Sequence, residues 1–309
     1  MPMPPNVNAI YDEANAIVVA TLGEALAKQE WAAQSMPLVE EMAINDTLVN
    51  LPFLLDNHGL QPLLHNIEKK AGIKKQIQFV TSEWVDNITV PLRDLTSAHG
   101  DMYRMLAQQK GRGVPRWQDQ QVAKMLKSTG AAFVTPGFDG VPYFSSAHPM
   151  NLAGEDIAVF DNLDSAGGGN YWFLFDAIVI KPILLNSKSR PEARDLGPDS
   201  EHAKKFFEVM WNLYADAGYG MGPWFYGYAS NQALDEAHFN TARIAMQQVP
   251  TYGKVDGESQ LMGVRPTVLV VGSSNQLAAE QLIKHGPANG GDPNPLYNAV
   301  QVVALAMLP

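Results

Sequence analysis

A chain of 309 residues with 46% apolar and 17% charged side chains can bury a sizeable core, as one large domain or two modest ones, and is not a disordered composition. It has no cysteine, which excludes disulfides, thiolate zinc sites, iron–sulfur clusters and a cysteine nucleophile; its net charge of −10 argues against an open nucleic-acid-binding groove. No run of about 18 apolar residues is present to cross a membrane, and the first 18 residues lack the basic and apolar regions of a signal peptide; for a chain without cysteine a cytoplasmic origin fits best.

Charge is unevenly placed along the chain. Met1 to Asn66 holds eight acids and one lysine, Ile67 to Ala131 six acids and eleven bases, and the remainder eighteen acids and ten bases, balances of −7, +5 and −8. An acidic arm ahead of a basic stretch suggests complementary surfaces, within one chain or between copies of it, with ordinary solvated faces as the alternative. Ile10, Ala14, Ile17, Thr21 and Ala25 mark one face of a helix running to about Gln34. Pro37, Pro52 and Pro62 punctuate residues 36–72, which read as short helical pieces along an extended path. Such an arm cannot own a core and must lie on something else.

Ile73, Ile77, Phe79 and Thr81 alternate with polar residues, as do Ile88, Val90 and Leu92, so the two runs read as a β-hairpin joined through Ser82–Asn87 with Trp84 near its tip. An isolated hairpin is marginal in water, so its faces need a partner. Thr96–Gln109 and Arg116–Lys127 predict a helix in two parts, interrupted by Gly111, Gly113 and Pro115. Gly137–Met150 is dense in turns and aromatics. Tyr171–Leu185 is rich in strand residues with a break at Pro182, and Ala203–Ala217 suits a helix or a long strand equally. Gly218–Ser230 suits a bent strand, Leu234–Gln248 a helix, and Thr251–Gly263 a polar linker. Val268–Val271 reads as a buried strand, followed by a small-residue turn in which Ser273, Ser274 or Asn275 could cap a helix to Lys284; Val300–Leu308 closes the chain as a strand.

A strand, a small-residue turn and a helix also describe many phosphate-binding loops. Those loops need several glycines and usually a following lysine, whereas this one has Gly272 alone and no lysine before Lys284. The seven histidines, His58, His65, His99, His148, His202, His238 and His285, form no metal-binding spacing. Asp139 and His148 share one turn-rich block and could pair, which would centre an α/β enzyme of hydrolase or transferase type, although Ser145 and Ser146 lack a nucleophile elbow. The aromatic run Trp224–Tyr228 suits either core packing or a platform for stacking bases or sugars. No residue stands out as catalytic, metal-binding or cofactor-binding.

Four segments together resemble the major head subunit family of Mu-like phages, whose members have the Hong Kong 97-like capsid fold. They are the hairpin exit ITVPLRDL (Ile88–Leu95), FDGVPYFSSAHP (Phe138–Pro149), GYGMGPWFYGYAS (Gly218–Ser230), and AHFNTARIAMQQV with GVRPTVLVVGSSNQLAAEQLIK (Ala237–Lys284). The resemblance covers roughly Asp46 to Pro309. It implies an α+β fold with an N-terminal arm over residues 1–66, an extended E-loop hairpin over 67–95, a mainly peripheral domain with a spine helix over 96–231, and a mainly axial domain over 232–309. It implies a structural protein without cofactor, self-assembling as pentamers and hexamers into an icosahedral virion shell around DNA, in the host bacterial cytoplasm. Scaffolding, portal or decoration proteins would be its partners. On the charge contrast, Glu40, Glu41 and Asp46 are expected to meet Lys74, Lys75 or Arg116 between subunits, and Trp84 to touch another chain.

Overall fold

A computed structural model of the chain describes residues 7–27, 33–54, 74–95, 100–129, 132–150, 158–255, 258–286 and 294–309. Helix α1 spans Val7–Ala27, followed by strands β1 (Val39–Met42), β2 (Leu48–Leu54), β3 (Lys74–Val80) and β4 (Ser82–Pro91). Helices α2 (Leu92–Leu95), α3 (Gly100–Gly111) and α4 (Gly113–Leu126) come next. Short strands β5 (Ser128–Thr129), β6 (Ala132–Phe133), β7 (His148–Met150), β8 (Ala158–Phe160) and β9 (Leu163–Asp164) lead to β10 (Trp172–Phe175) and the long β11 (Ile183–Leu196). The chain ends with α5 (Glu201–Phe206), β12 (Glu208–Met221), β13 (Gly227–Ser230), α6 (Glu236–Gln247), β14 (Pro250–Val255), β15 (Glu258–Leu261), β16 (Val268–Val271), α7 (Gln276–Lys284) and β17 (Gln301–Ala304).

Two sheets organise these elements. The first runs β1-β11-β12-β4 and the second β17-β16-β10-β13-β9. On β12, Val209, Trp211, Leu213, Ala215 and Ala217 are buried at period two, which gives the first sheet one covered face. Tyr11, Ala14, Val18 and Leu22 of α1, with Tyr103 and Ala107 of α3, pack there on Ile88, Val90 and Trp211. The buried stripe of α1 is thus Tyr11/Ala14/Val18/Leu22 with Thr21; it keeps Ala14 and Thr21 of the face expected, while Ile10 and Ile17 flank it. In the second sheet every residue of β10 and β16 is buried, so both of its faces are covered and the strands read as unbroken apolar runs. Helices α6 and α7 bury Phe239, Ala242, Met246, Ala279 and Ile283 into the same core.

Several expectations are corrected. The residue 74–92 region is not a hairpin: β3 pairs antiparallel with β2, while β4 pairs with β12. Ser82–Asn87 lies inside β4, and Trp84 sits in that strand rather than at a tip. Alternation assigns each strand its faces but says nothing about its partner, and one buried residue, Thr81, turns the chain from one ribbon into the other. The corner is packed onto two glycines of β12. A Cβ on Gly218 would overlap the Val80 carbonyl, and one on Gly220 would overlap the Phe79 ring. In the described part of residues 36–72, one 3-10 turn at Met36–Leu38 is followed by strands β1 and β2, not by helical pieces. Ala203–Ala217 is both helix and strand, divided at Phe207, and the polar linker is the β14–β15 hairpin. The two-part helix is confirmed; α4 starts three residues before Arg116 because Pro115 is tolerated in a first turn.

Candidate assembly surface

Asp139 and His148 do pair, with His148 Nδ1 2.7 Å from Asp139 Oδ2, but the His148 side chain is 0% exposed. The His148 ring stacks on Trp224 at 4.1 Å, and its Nε2 lies 3.1 Å from both the Tyr143 carbonyl and Asn162 Oδ1. Asn162 is oriented by its neighbours: Oδ1 accepts from Ser145 N–H, while Nδ2 donates to the carbonyls of Tyr143, Trp224 and Gly227. Both imidazole nitrogens are thus occupied by partners within the chain, and the ring is closed off from any substrate. The Ser145 hydroxyl accepts from Ala147 N–H at 3.2 Å. This cluster fastens the turn block to the Trp224–Gly227 turn, and its burial gives the enzyme reading no support. The aromatic platform goes with it, because Trp224 and Phe225 are buried against His148, Phe160 and Tyr252. Among the described residues no group of three or more His, Asp or Glu could hold a metal, and no helix is long and apolar enough to cross a membrane. His58, His65 and His99 lie outside the described residues.

The acidic arm packs on the basic segment, α1 on α3 and β2 on β3, but its acid Glu41 takes its base from elsewhere in the chain. Glu41 makes a two-pronged pair with Arg190 of β11, both distances 2.9 Å, within one chain. Residues 34 and 35 are fixed by an acid on α4: Asp119 accepts from Ser35 N–H at 2.9 Å, Ser35 Oγ at 2.7 Å and Gln34 N–H at 3.2 Å. Lys181 Nζ reaches the carbonyls of Met36 and Val39. Glu40, Asp46, Lys75 and Arg116 are exposed, and Lys74 opens β3 opposite Leu54. Trp84 is half-buried, edge-on to Trp117 at 5.1 Å, with its indole N–H donating to the Ala217 carbonyl at 3.0 Å. Its bulk therefore has an intrachain use in joining β4 to α4. Sequence reasoning passed over Asn162 and Asp119, because a single polar residue in a loop or on a helix face carries no pattern.

What remains is surface. The chain exposes 17315 Å², against about 12,700 Å² for a compact monomer of 33.8 kDa. Large apolar side chains share in this exposure, among them Ile178 and Val179 at 65% and 75% in the bend before β11. The β2–β3 ribbon rests on a small cluster at its base, Val49, Ile77 and Phe79 against Leu184. A ribbon of two strands is not stable on its own. These features suit a surface completed by other copies of the chain.

The comparisons agree. No curated protein matches the chain. Residues 66–308 match the family described as Mu-like prophage major head subunit gpT. A chain of the bacteriophage JBD30 procapsid superposes with a TM-score of 0.77 at 21% identity, over 99% of this chain and 100% of that one. The bacteriophage JBD30 capsid gives 0.71 at 16% identity, over 90% and 91%. The capsid of the same phage decorated with minor capsid protein trimers gives 0.68 at 18%, over 90% and 91%. The fold is Hong Kong 97-like, and the match over well over half of its length shows that the chain belongs to the Mu-like prophage major head subunit gpT family, as a phage major capsid protein.

Proposed function

We propose that this capsid subunit acts by self-association alone, closing as rings of five and six into an icosahedral shell around packaged DNA, in the cytoplasm of a bacterial host. The observation that carries this reading is the surface in excess of a compact monomer, together with a ribbon that rests on a small cluster of its own chain. Intertwined segments bury more area than compact docking does, as obligate assemblies require. The reaching element is then the β2–β3 ribbon rather than residues 67–95. Helix α4 is the spine, and the second sheet with α6 and α7 forms most of the axial part. The net charge of −10 suits a container that must not grip its DNA. Scaffolding, portal and decoration proteins are its expected partners.

The test is particle size. Purified protein should give shells, rings or tubes by negative-stain microscopy and light scattering. A clean monomer or dimer under all conditions of salt, pH and concentration would refute the reading.

A further inference from the structure

The far end of the long β11–β12 pair carries an unusual feature. Phe206 and Phe207, consecutive, are 55% and 63% exposed. Phe207 adopts a left-handed backbone, φ 58°, which a bulky side chain rarely takes and which costs free energy. The strain is held in place from several sides. Ser200 caps α5 by accepting from Ala203 N–H, and Phe207 N–H donates to the Ala203 carbonyl. The Phe207 carbonyl accepts from Leu92 N–H at 2.8 Å. His202 bridges to Glu208 at 2.9 Å and lies against the Phe206 ring at 4.9 Å. Exposed Lys204 and Lys205 flank the pair, with Lys205 Nζ over the Phe206 ring. Two aromatic rings held rigidly in water, beside positive charge, have the profile of an interface anchor.

A receiving surface lies elsewhere on the subunit. Where α3 gives way to α4, the helix stands clear of the sheet: nothing lies within 4 Å of a Cβ placed on Gly113. This leaves a groove of about 360 Å³ lined chiefly by Trp84, Val85, Val114, Arg116, Trp117 and Leu213. Val85 is 62% exposed at its lip, next to exposed Glu83, which accepts from the Tyr214 hydroxyl, and Asp86, which pairs with Lys110 of the groove wall at 2.6 Å. The tip abuts the Pro91 end of β4, paired through Glu208, whereas the groove adjoins Trp84–Asp86. Along the strand the two are about 20 Å apart at ~3.3 Å per residue, so no copy fills its own groove.

We propose that the Phe206–Phe207 tip of one subunit docks into the Trp84–Trp117 groove of a second copy, an inference that rests on the self-association proposed above. Charge complementarity favours this over tip meeting tip. Lys204 and Lys205 would face Glu83 and compete with Lys110 for Asp86, while Arg116 of the lining would lie over an incoming ring. Two tips meeting would instead oppose lysines. Because tip and groove are different surfaces, the contact is heterologous, the kind that closes rings. The two rings supply on the order of 250 Å² of buried area, a sizeable part of the roughly 800 Å² per partner of a standard interface.

The absence of cysteine makes the test clean. In the Lys205→Cys/Val85→Cys double variant a disulfide needs Cα atoms within roughly 7 Å, which the separation along one chain forbids. Oxidation of assembled particles should give covalent ladders with the double variant and none with either single variant. Phe207→Gly, for which the left-handed backbone is free of strain, should fold with an unchanged or higher Tm yet lose about tenfold or more in particle yield. Assembled double-variant particles without ladders, ladders from Lys205→Cys alone (tip against tip), or normal assembly of Phe207→Gly would each overturn the proposal. Failure of the unaltered protein to form particles would overturn self-association as well, which separates the two results.

Discussion

Asn162 is the most exacting test of how the turn block is joined to the Trp224–Gly227 turn. It is 1% exposed and forms five side-chain hydrogen bonds that tie Tyr143, Ser145 and His148 of the turn block to Trp224 and Gly227. Asn162→Ala removes all five at once, but the cost is not five times one bond. The Tyr143 carbonyl keeps His148 Nε2, and the Trp224 carbonyl keeps Gly227 N–H. Ser145 N–H loses its side-chain acceptor outright. One orphaned donor costs about 1–3 kcal/mol, and the remaining losses about 0.5–1.5 kcal/mol each. The expected total is ~3–4 kcal/mol, a large share of the roughly 5–15 kcal/mol that holds a domain folded.

The assay is urea unfolding of unassembled subunits, followed by tryptophan fluorescence, since assembly would mask the loss by mass action. Trp224, stacked on His148, reports directly. Asn162→Asp refines the test. It keeps the shape and the Ser145 acceptor but sets a carboxylate oxygen against three carbonyls, so it should cost at least as much as alanine. A loss below about 1 kcal/mol for alanine, or an aspartate variant as stable as the parent, would refute the reasoning.

Three further outcomes follow from the same structure. Asp119→Ala leaves Ser35 and Gln34 without their acceptor and should cost about 1–3 kcal/mol, with faster proteolysis in residues 33–42 at unchanged helix content by circular dichroism. Gly272→Ala would drive a Cβ into the Pro309 and Leu308 backbone, which must shift away, so a loss of about 1–3 kcal/mol in urea unfolding is expected. Burial raises the phenols of Tyr11, Tyr143, Tyr219 and Tyr252 well above the usual value of 10.0, and that of Tyr228 to about 12. The folded form thus holds these protons longer than the unfolded chain. Their stabilisation is complete below about pH 10 and is lost as pH rises through the folded values. Absorbance at 295 nm should show about half of the tyrosines titrating only together with alkaline unfolding; smooth titration of all ten near pH 10 in folded protein would contradict this.

What was legible in the sequence divides along a physical line. Val268–Lys284 read correctly as strand, turn and helix because its apolar pattern is satisfied within one chain, by β10 and β17 on either side. Even there the turn chemistry differs from the expectation. Asn275 occupies the cap position without capping; its amide donates to the Asn170 carbonyl, and Ser274 Oγ donates to the Pro309 carbonyl. Gly272 is small so that the end of the chain can cross it. The turn has the composition of a ligand loop because it binds other parts of its own chain.

The elements that misled are those whose pattern is not closed by their nearest neighbours in sequence. β3 and β4 alternate as a hairpin would, yet each pairs with a distant strand, β2 or β12, and no local signal encodes that choice. The charge contrast between residues 1–66 and 67–131 is real, but the arm acid that finds a base inside the chain, Glu41, takes Arg190 from neither segment. That pair is two-thirds exposed or more on the arginine side and is worth only about 0–1 kcal/mol, so it locates the arm without explaining the contrast. On the proposed self-association, the exposed Glu40, Asp46, Lys75 and Arg116 would act between copies, where each charge would be repeated at every equivalent contact. A weak complementarity, too small to matter in one subunit, can in that setting select one docking register over its alternatives. Neutralising Glu40 and Asp46 together should then leave subunit stability within about 0.5 kcal/mol while broadening the particle-size distribution. If particles remained uniform, the contrast would be solvation and nothing more.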